Sequence, residues 1–480
     1  VYKRQMKKIF LRATSAVLAL CLIISLSACS GKNTANQLEA DSTLNNMEEI
    51  TLTCAENSEV KNSENSGIFK IKCGEEVVLQ ADKMSTVNTV TIREKGCNCT
   101  GFSLYGENEA GERKLLFGGD VIDDYLYCSF DNADISRLIL KIDSSENSKE
   151  VKISEIKAFC AESRQNDDFI VNSYFPISEG STYFQERVND SDFSQYFDVI
   201  TDAIIIGAVG FTKDGTLEYD SEMLKKETEA LKEIIGNRPV RIWCCIANPK
   251  KENGKHANND SVYAINHNLD TLQSNLVELC KEFGFCGIDF DWEYPRLPHV
   301  WSAYSKMLTG LGKELHENSL LLSSALGPWG VMLTDEAKES LDLVNIMAYD
   351  WAKNSRDNHS EFYTCHYFSA EYFIKKGFRK DQLLLGVPFY GNTRDKGEFM
   401  QAGYSDFEIN SRSQNTGIKD SREYYFNGYD MIYAKTAYAY DMGFAGMMIW
   451  CGEFDFPMSN QYSLFSAMQN AVENRNNTTQ

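Results

Sequence analysis

Two changes of pattern along the chain predict an α/β protein in which a small β-sandwich precedes a closed (β/α)8 barrel of the TIM type. Over residues 50–160, short alternating apolar and polar runs, many of them β-branched, are separated by Gly, Asn and Asp. Such runs are the mark of paired antiparallel strands joined by turns. Over residues 167–475, continuous apolar segments alternate with amphipathic ones, as in a parallel sheet covered by helices on both faces. A barrel takes ~250 residues, so the 480-residue chain has room for both parts.

The elements follow in order. Met6-Lys7-Lys8 and Arg12 precede an apolar run over 16–26 that ends in Leu26-Ser27-Ala28-Cys29. That run is short for a membrane span, and residues 1–29 read as a signal peptide. Residues 30–49 are polar and suit a flexible tether. Strand runs of the sandwich fall at 69–72, 89–92, 102–105, 138–142 and 151–153, and a polar junction follows over 161–168. Barrel strands are expected at 169–175, 203–208, 240–247, 286–293, 320–325, 343–349, 383–389 and 445–450. Amphipathic helices are expected at 221–235, 269–283 and 300–317, with a last one at 462–474.

The net charge of −21 disfavours nucleic acid and anionic surfaces, which attract basic patches. Fourteen cysteines show no framework spacing, and Cys97 and Cys99 lack the partners that a structural zinc requires. No His falls at a metal-ligand or triad spacing, so neither metal nor cofactor is expected.

The chemistry concentrates in Gly287-Ile288-Asp289-Phe290-Asp291-Trp292-Glu293-Tyr294-Pro295. On a strand, alternate residues share a face, so Asp289, Asp291 and Glu293 point one way and Ile288, Phe290 and Trp292 the other. If the apolar set packs under helices, the acids converge inside the barrel, where burial and mutual repulsion hold at least one protonated near neutral pH. Glu293, nearest the C-terminal mouth where barrel active sites lie, is the candidate proton donor.

With these residues the chain resembles the family 18 glycoside hydrolases, the chitinase family, whose signature on this strand is Asp-x-x-Asp-x-Asp-x-Glu. Further likenesses come in order: Tyr174 ending the first strand, 207–211 with Asp214-Gly215 after the second, Met347-Ala348-Tyr349-Asp350 at the sixth, 386–391 at the seventh and 446–450 at the eighth. The resemblance spans about 169–472 and implies a retaining, substrate-assisted glycosidase acting on β-1,4 bonds of N-acetylglucosamine-containing glycans. By it, Glu293 is the acid and base, Asp291 orients the acetamido group, Asp289 supports Asp291, and Tyr349 bonds the acetamido oxygen. It also makes Trp450 the floor beneath the sugar. Tyr174, Met347, Asp350, Tyr390 and Trp351 are substrate-binding candidates, and Trp329 is a further candidate for the cleft wall. Residues 88–94, 101–106 and 154–156 resemble discoidin or factor 5/8 type C modules, many of which bind sugars. Leu26 to Cys29 resembles a lipobox, which implies lipidation at Cys29 and a monomer held at a bacterial cell surface.

Three departures from the family stand out. Cys286 replaces the first acid of the signature. The third strand carries Cys245-Ile246-Ala247-Asn248 where many members have Ser-x-Gly-Gly. Between Gly391 and about Asn427 the insertion that walls the cleft is reduced or absent. An endo-β-N-acetylglucosaminidase cutting the N-glycan chitobiose core is therefore an alternative, and a glycan-binding lectin on a dead barrel is another.

Overall fold

The computed structural model describes residues 47–58, 60, 67–161, 168–247, 258–293, 295–350, 361–393 and 400–476. The expected signal peptide with Cys29, nearly all of the tether, Tyr294, Asn248 and Trp351 lie outside the described residues. Thr43–Gln480 forms one compact unit. No described helix is long and apolar enough to cross a membrane.

The first part is an antiparallel β unit of eight strands: Glu48–Ile50, Leu52–Cys54, Phe69–Ile71, Glu76–Glu94, Cys99–Glu107, Arg113–Gly119, Leu126–Ser145 and Val151–Cys160. They join in one hydrogen-bonded network, whose main path runs first, eighth, fourth, seventh, fifth, sixth. Several of the short runs seen in the sequence are pieces of longer strands, the fourth having 19 residues and the seventh 20. Register shifts between Gln80 and Ser85 and between Val87 and Thr89 interrupt this central pair, and such bulges bend a strand. Every residue of 87–92 is buried, so both faces are covered there. One covering element is the barrel helix Tyr429–Asp441, whose Tyr438 ring meets Tyr127 edge-on with centroids 5.4 Å apart.

The barrel strands are Ile170–Pro176, Asp202–Phe211, Arg241–Ala247, Gly287–Asp291, Leu321–Leu326, Leu343–Ile346, Leu383–Pro388 and Gly446–Trp450. All pair in parallel in chain order, and the eighth returns to the first through Gly446↔Ile170 to Ile449↔Ser173, closing the barrel. Gly446 is required at that seam, because a Cβ there would lie 1.9 Å from the Ile170 carbonyl oxygen. The fourth and sixth strands end earlier than their apolar patterns suggest, so Glu293, Met347 and Tyr349 stand beyond strand ends.

Helices Ser221–Ile235 and Leu269–Phe283 have the bounds expected from their periodicity. Asp220 caps the former by accepting from the Met223 amide at 3.0 Å. Gly284 ends the latter in the left-handed region, φ 75°, as helix C-termini favour. After the seventh strand, Tyr390–Thr393, Met400–Gly403, Thr416–Lys419 and Arg422–Tyr425 form a four-stranded antiparallel sheet. This small sheet occupies the stretch between Gly391 and about Asn427.

Candidate active site

The alternation on the fourth strand divides as its chemistry demands. Ile288, Phe290 and Trp292 are buried. Phe290 meets Phe211 with ring centroids 6.5 Å apart, and Trp292 meets Tyr304 of helix Pro298–Glu317 at 4.9 Å. Packing on that side fixes the opposite face toward the barrel interior.

Asp289 lies deepest and is fully buried. It accepts from Ser323 Oγ at 2.5 Å, Tyr174 hydroxyl at 2.8 Å and Asn345 Nδ2 at 3.1 Å. The Cys245 thiol on the neighbouring strand is a fourth donor. Burial pushes the Asp289 carboxyl above its ordinary range despite these donors, which pull the other way. The network extends one step further, since Asn172 Nδ2 donates to Asn345 Oδ1 at 2.9 Å. None of these four donors comes from position 286, so Asp289 is held without the acid that Cys286 replaces. Cys286 is instead close to Asp202 and Arg241, and burial drives its thiol pKa upward. There Asp202 accepts from Trp243 Nε1 at 2.6 Å and pairs with Arg241 Nε at 2.8 Å.

Above Asp289 opens a cleft of about 460 Å3 at the C-terminal mouth. Nine of the residues expected from sequence line it: Tyr174, Asp291, Glu293, Trp329, Met347, Tyr349, Asp350, Tyr390 and Trp450. Trp450 and Tyr174 form one wall, with ring centroids 5.7 Å apart. Tyr349 meets Tyr390 edge-on at 6.3 Å. Asp350 accepts from Asn392 Nδ2 at 3.1 Å, and burial together with the nearby Asp350 carboxylate raises the pKa of the Tyr390 hydroxyl. Asp289 does not line the cleft; it lies beneath it, touching Tyr174.

Three more residues complete the lining: Ala325, Gln401 and Met448. Ala325 and Met448 share the inward register of Ser323 and Trp450, a period-two signal that was open to reading. Gln401 comes from the small sheet and carried no such signal. Trp329 is 43% exposed, and its ring lies over Gly327, where a Cβ would come within 2.5 Å of it. Trp329 also borders a second hollow, with Trp292, Arg296 and Trp301. No His, Cys, Asp or Glu group suited to a metal ion occurs among the described residues.

This arrangement has relatives. Probable chitinase 2 of Drosophila melanogaster is 29% identical over 197 residues, 37% of this chain and 39% of that protein. Endochitinase 1 of Metarhizium anisopliae is 24% identical over 247 residues, 41% of this chain and 57% of that protein. The chain thus matches well under two thirds of these relatives' length. Among solved structures, the GH18 chitinase ChiB of Flavobacterium johnsoniae aligns with a TM-score of 0.51 at 23% identity, covering 65% of this chain and 94% of that one. A chitinase from Bacteroides thetaiotaomicron aligns at 0.52 and 17%, covering 65% and 98%. At these identities the structures speak for the barrel fold alone. The sequence model of the glycosyl hydrolases family 18 matches residues 172–455, more than half of the 480, and from the first barrel strand to past the eighth this chain belongs to that family.

Proposed function

We propose that the barrel is a retaining glycosidase cleaving β-1,4 bonds of N-acetylglucosamine-containing glycans, chitin or chitooligosaccharides, by substrate-assisted catalysis. The observation that carries this reading is the single cleft that brings Glu293, Asp291, Tyr349 and Trp450 together above a buried Asp289. Glu293 protonates the leaving oxygen and later serves as base for water. Asp291 ends the fourth strand, Glu293 follows two residues later just beyond it, and both line the same cleft. Asp291 is thus beside the acid rather than across a sugar ring from it, as a carboxylate nucleophile must be. The substrate's own acetamido oxygen fills that part, with Asp291 orienting its N–H and balancing the developing positive charge. Tyr349 holds the acetamido oxygen, and Trp450 is the floor.

Asp289 acts in support of Asp291. Its negative charge is costly where it lies, and four donors define its position.

The experiment is hydrolysis of a fluorogenic chitobioside and chitotrioside beside deglycosylation of an N-glycoprotein. Turnover of the chitosides supports the leading reading. Activity confined to the glycoprotein supports an endo-β-N-acetylglucosaminidase, which the reduced four-stranded wall favours because it leaves room for a branched arm. Binding without turnover on either substrate leaves a lectin. For Asp291→Asn, kcat is expected to fall roughly 10²–10³-fold with KM little changed, since its role is realised in the transition state. Steady-state kinetics check this, and normal kcat with a raised KM would remove that role from Asp291.

The signal over 1–29, lipidation at Cys29 and the tether over 30–49 belong to the same proposal, as the means of displaying the barrel at a bacterial surface. Cys29→Ser should move the protein from the membrane fraction to the soluble one. Retention in the membrane fraction would dismiss the lipid anchor.

A further inference from the structure

A second cleft, of about 500 Å3, lies where the β unit meets the barrel. Its walls come from strands Arg113–Gly119 and Leu126–Ser145, from residues 411–413, and from helices Tyr429–Asp441 and Leu464–Asn476. Ligand sites favour such junctions between packed parts.

Three groups give this cleft its chemistry. Asp430 lines it half-buried, and its side chain has no hydrogen-bond or ion-pair partner among the described residues. Burial raises its carboxyl to about 6; Arg412 pulls it down and Asp131 pushes it up. Its oxygens therefore face the cleft free to accept from a bound donor. Asn470 Nδ2 donates to the Tyr429 hydroxyl at 2.6 Å. The Asn470 amide oxygen is thereby left to accept, and the Tyr429 hydroxyl keeps its proton to donate. Arg412 stands 4.1 Å over the Tyr429 ring, which fixes a further donor at the wall.

Charges of both signs are present: Lys114 and Arg412 against Asp131 and Asp430. Neither a strongly anionic nor a strongly cationic ligand is favoured. Acceptors, hydroxyl and amide groups interleaved with aromatic and aliphatic surface suit a neutral ligand rich in hydroxyls. Ser129 in its wall is held by the buried Arg475, from which its hydroxyl accepts at 2.7 Å.

We propose that this junction cleft is a second saccharide site, binding a short neutral stretch of glycan with Asp430 accepting from its hydroxyls and Asn470 and Tyr429 completing the contacts. The choice of a glycan rests on the glycosidase reading; the cleft itself does not. A polymer held at both clefts would be kept on the enzyme between cleavages.

The test is calorimetric titration of Glu293→Gln protein with tetra-N-acetylchitotetraose and, separately, mannotetraose. One of these sugars is expected to give a binding step that Asp430→Ala and Asn470→Ala each weaken roughly tenfold to a hundredfold. Both substitutions, in the otherwise wild-type enzyme, should leave the thermal midpoint and kcat on the small chitobioside unchanged. The proposal is overturned if neither sugar gives heat that depends on Asp430 or Asn470. Wild-type turnover of the chitobioside is read separately, so failure of the catalytic reading and failure of this one are distinct results.

Discussion

Glu293→Gln is expected to lower kcat on a fluorogenic chitotrioside by roughly 10²–10⁴-fold, the usual contribution of a positioned acid and base. Glutamine preserves the shape of the side chain and its capacity to hydrogen-bond, so binding at the Trp450 wall should persist and KM should change little. What is lost is the proton for the leaving oxygen and, in the second half of the reaction, the base that activates water. An aryl leaving group needs less protonation than a sugar hydroxyl. The loss should therefore be smaller on the fluorogenic substrate than on an unmodified chitooligosaccharide, and product analysis on both substrates checks this ordering. Equal activity of wild type and variant would take Glu293 out of the mechanism.

The second large effect is on stability. Arg475, 1% exposed, donates through Nε to Asp441 Oδ1 at 3.1 Å, and through Nη2 to Thr89 Oγ1 at 3.0 Å and Ser129 Oγ at 2.7 Å. The Tyr127 hydroxyl donates to Asp441 Oδ2 at 2.5 Å. One guanidinium thus joins the last two barrel helices to two strands of the β unit. Removing one member of a buried pair leaves the other charge uncompensated, and Arg475→Ala should cost about 3–5 kcal/mol. Urea unfolding measures it. The double change Arg475→Met with Asp441→Leu should cost less, because it removes both charges together. If the single variant costs under ~1 kcal/mol, the pair does not hold the two parts together.

The barrel was legible because its local signals agree with one another. Asp220, Gly236 and Gly284 bracket helices whose apolar period is regular, and buried strands show as continuous apolar runs. The acids of the fourth strand were legible for the same reason, since a period of two assigns their face as soon as the other face is known to be apolar. The β unit was less so. Its 87–92 segment is covered on both sides, so alternation carries no face information there, and a 19-residue strand broken by bulges reads as separate short ones. Arg475 gave no warning either, set among Asn and Glu near the chain's end, where an exposed side chain is the default. The contact it makes is with Thr89, 386 positions away. At the start of the polar junction, Ala161 is held by Asn88 through bonds of 2.8 and 3.1 Å, a contact across 73 positions. The roles of Gln401 and Asp430 depend on packing between distant segments and have no local signature.

The clasp around Arg475 also bears on the order in which the chain is made. The β unit emerges from the ribosome first, and domains generally fold as they are synthesised. Tyr127, Thr89 and Ser129 are then in place long before the guanidinium that they surround. The first barrel strand must likewise wait for the eighth, which is its neighbour across the Gly446 seam. Closure of the barrel and docking of the β unit are thus completed by the same late stretch of chain. Until that stretch joins, the chain keeps an open sheet edge at its first barrel strand and a hydroxyl-lined socket on the β unit.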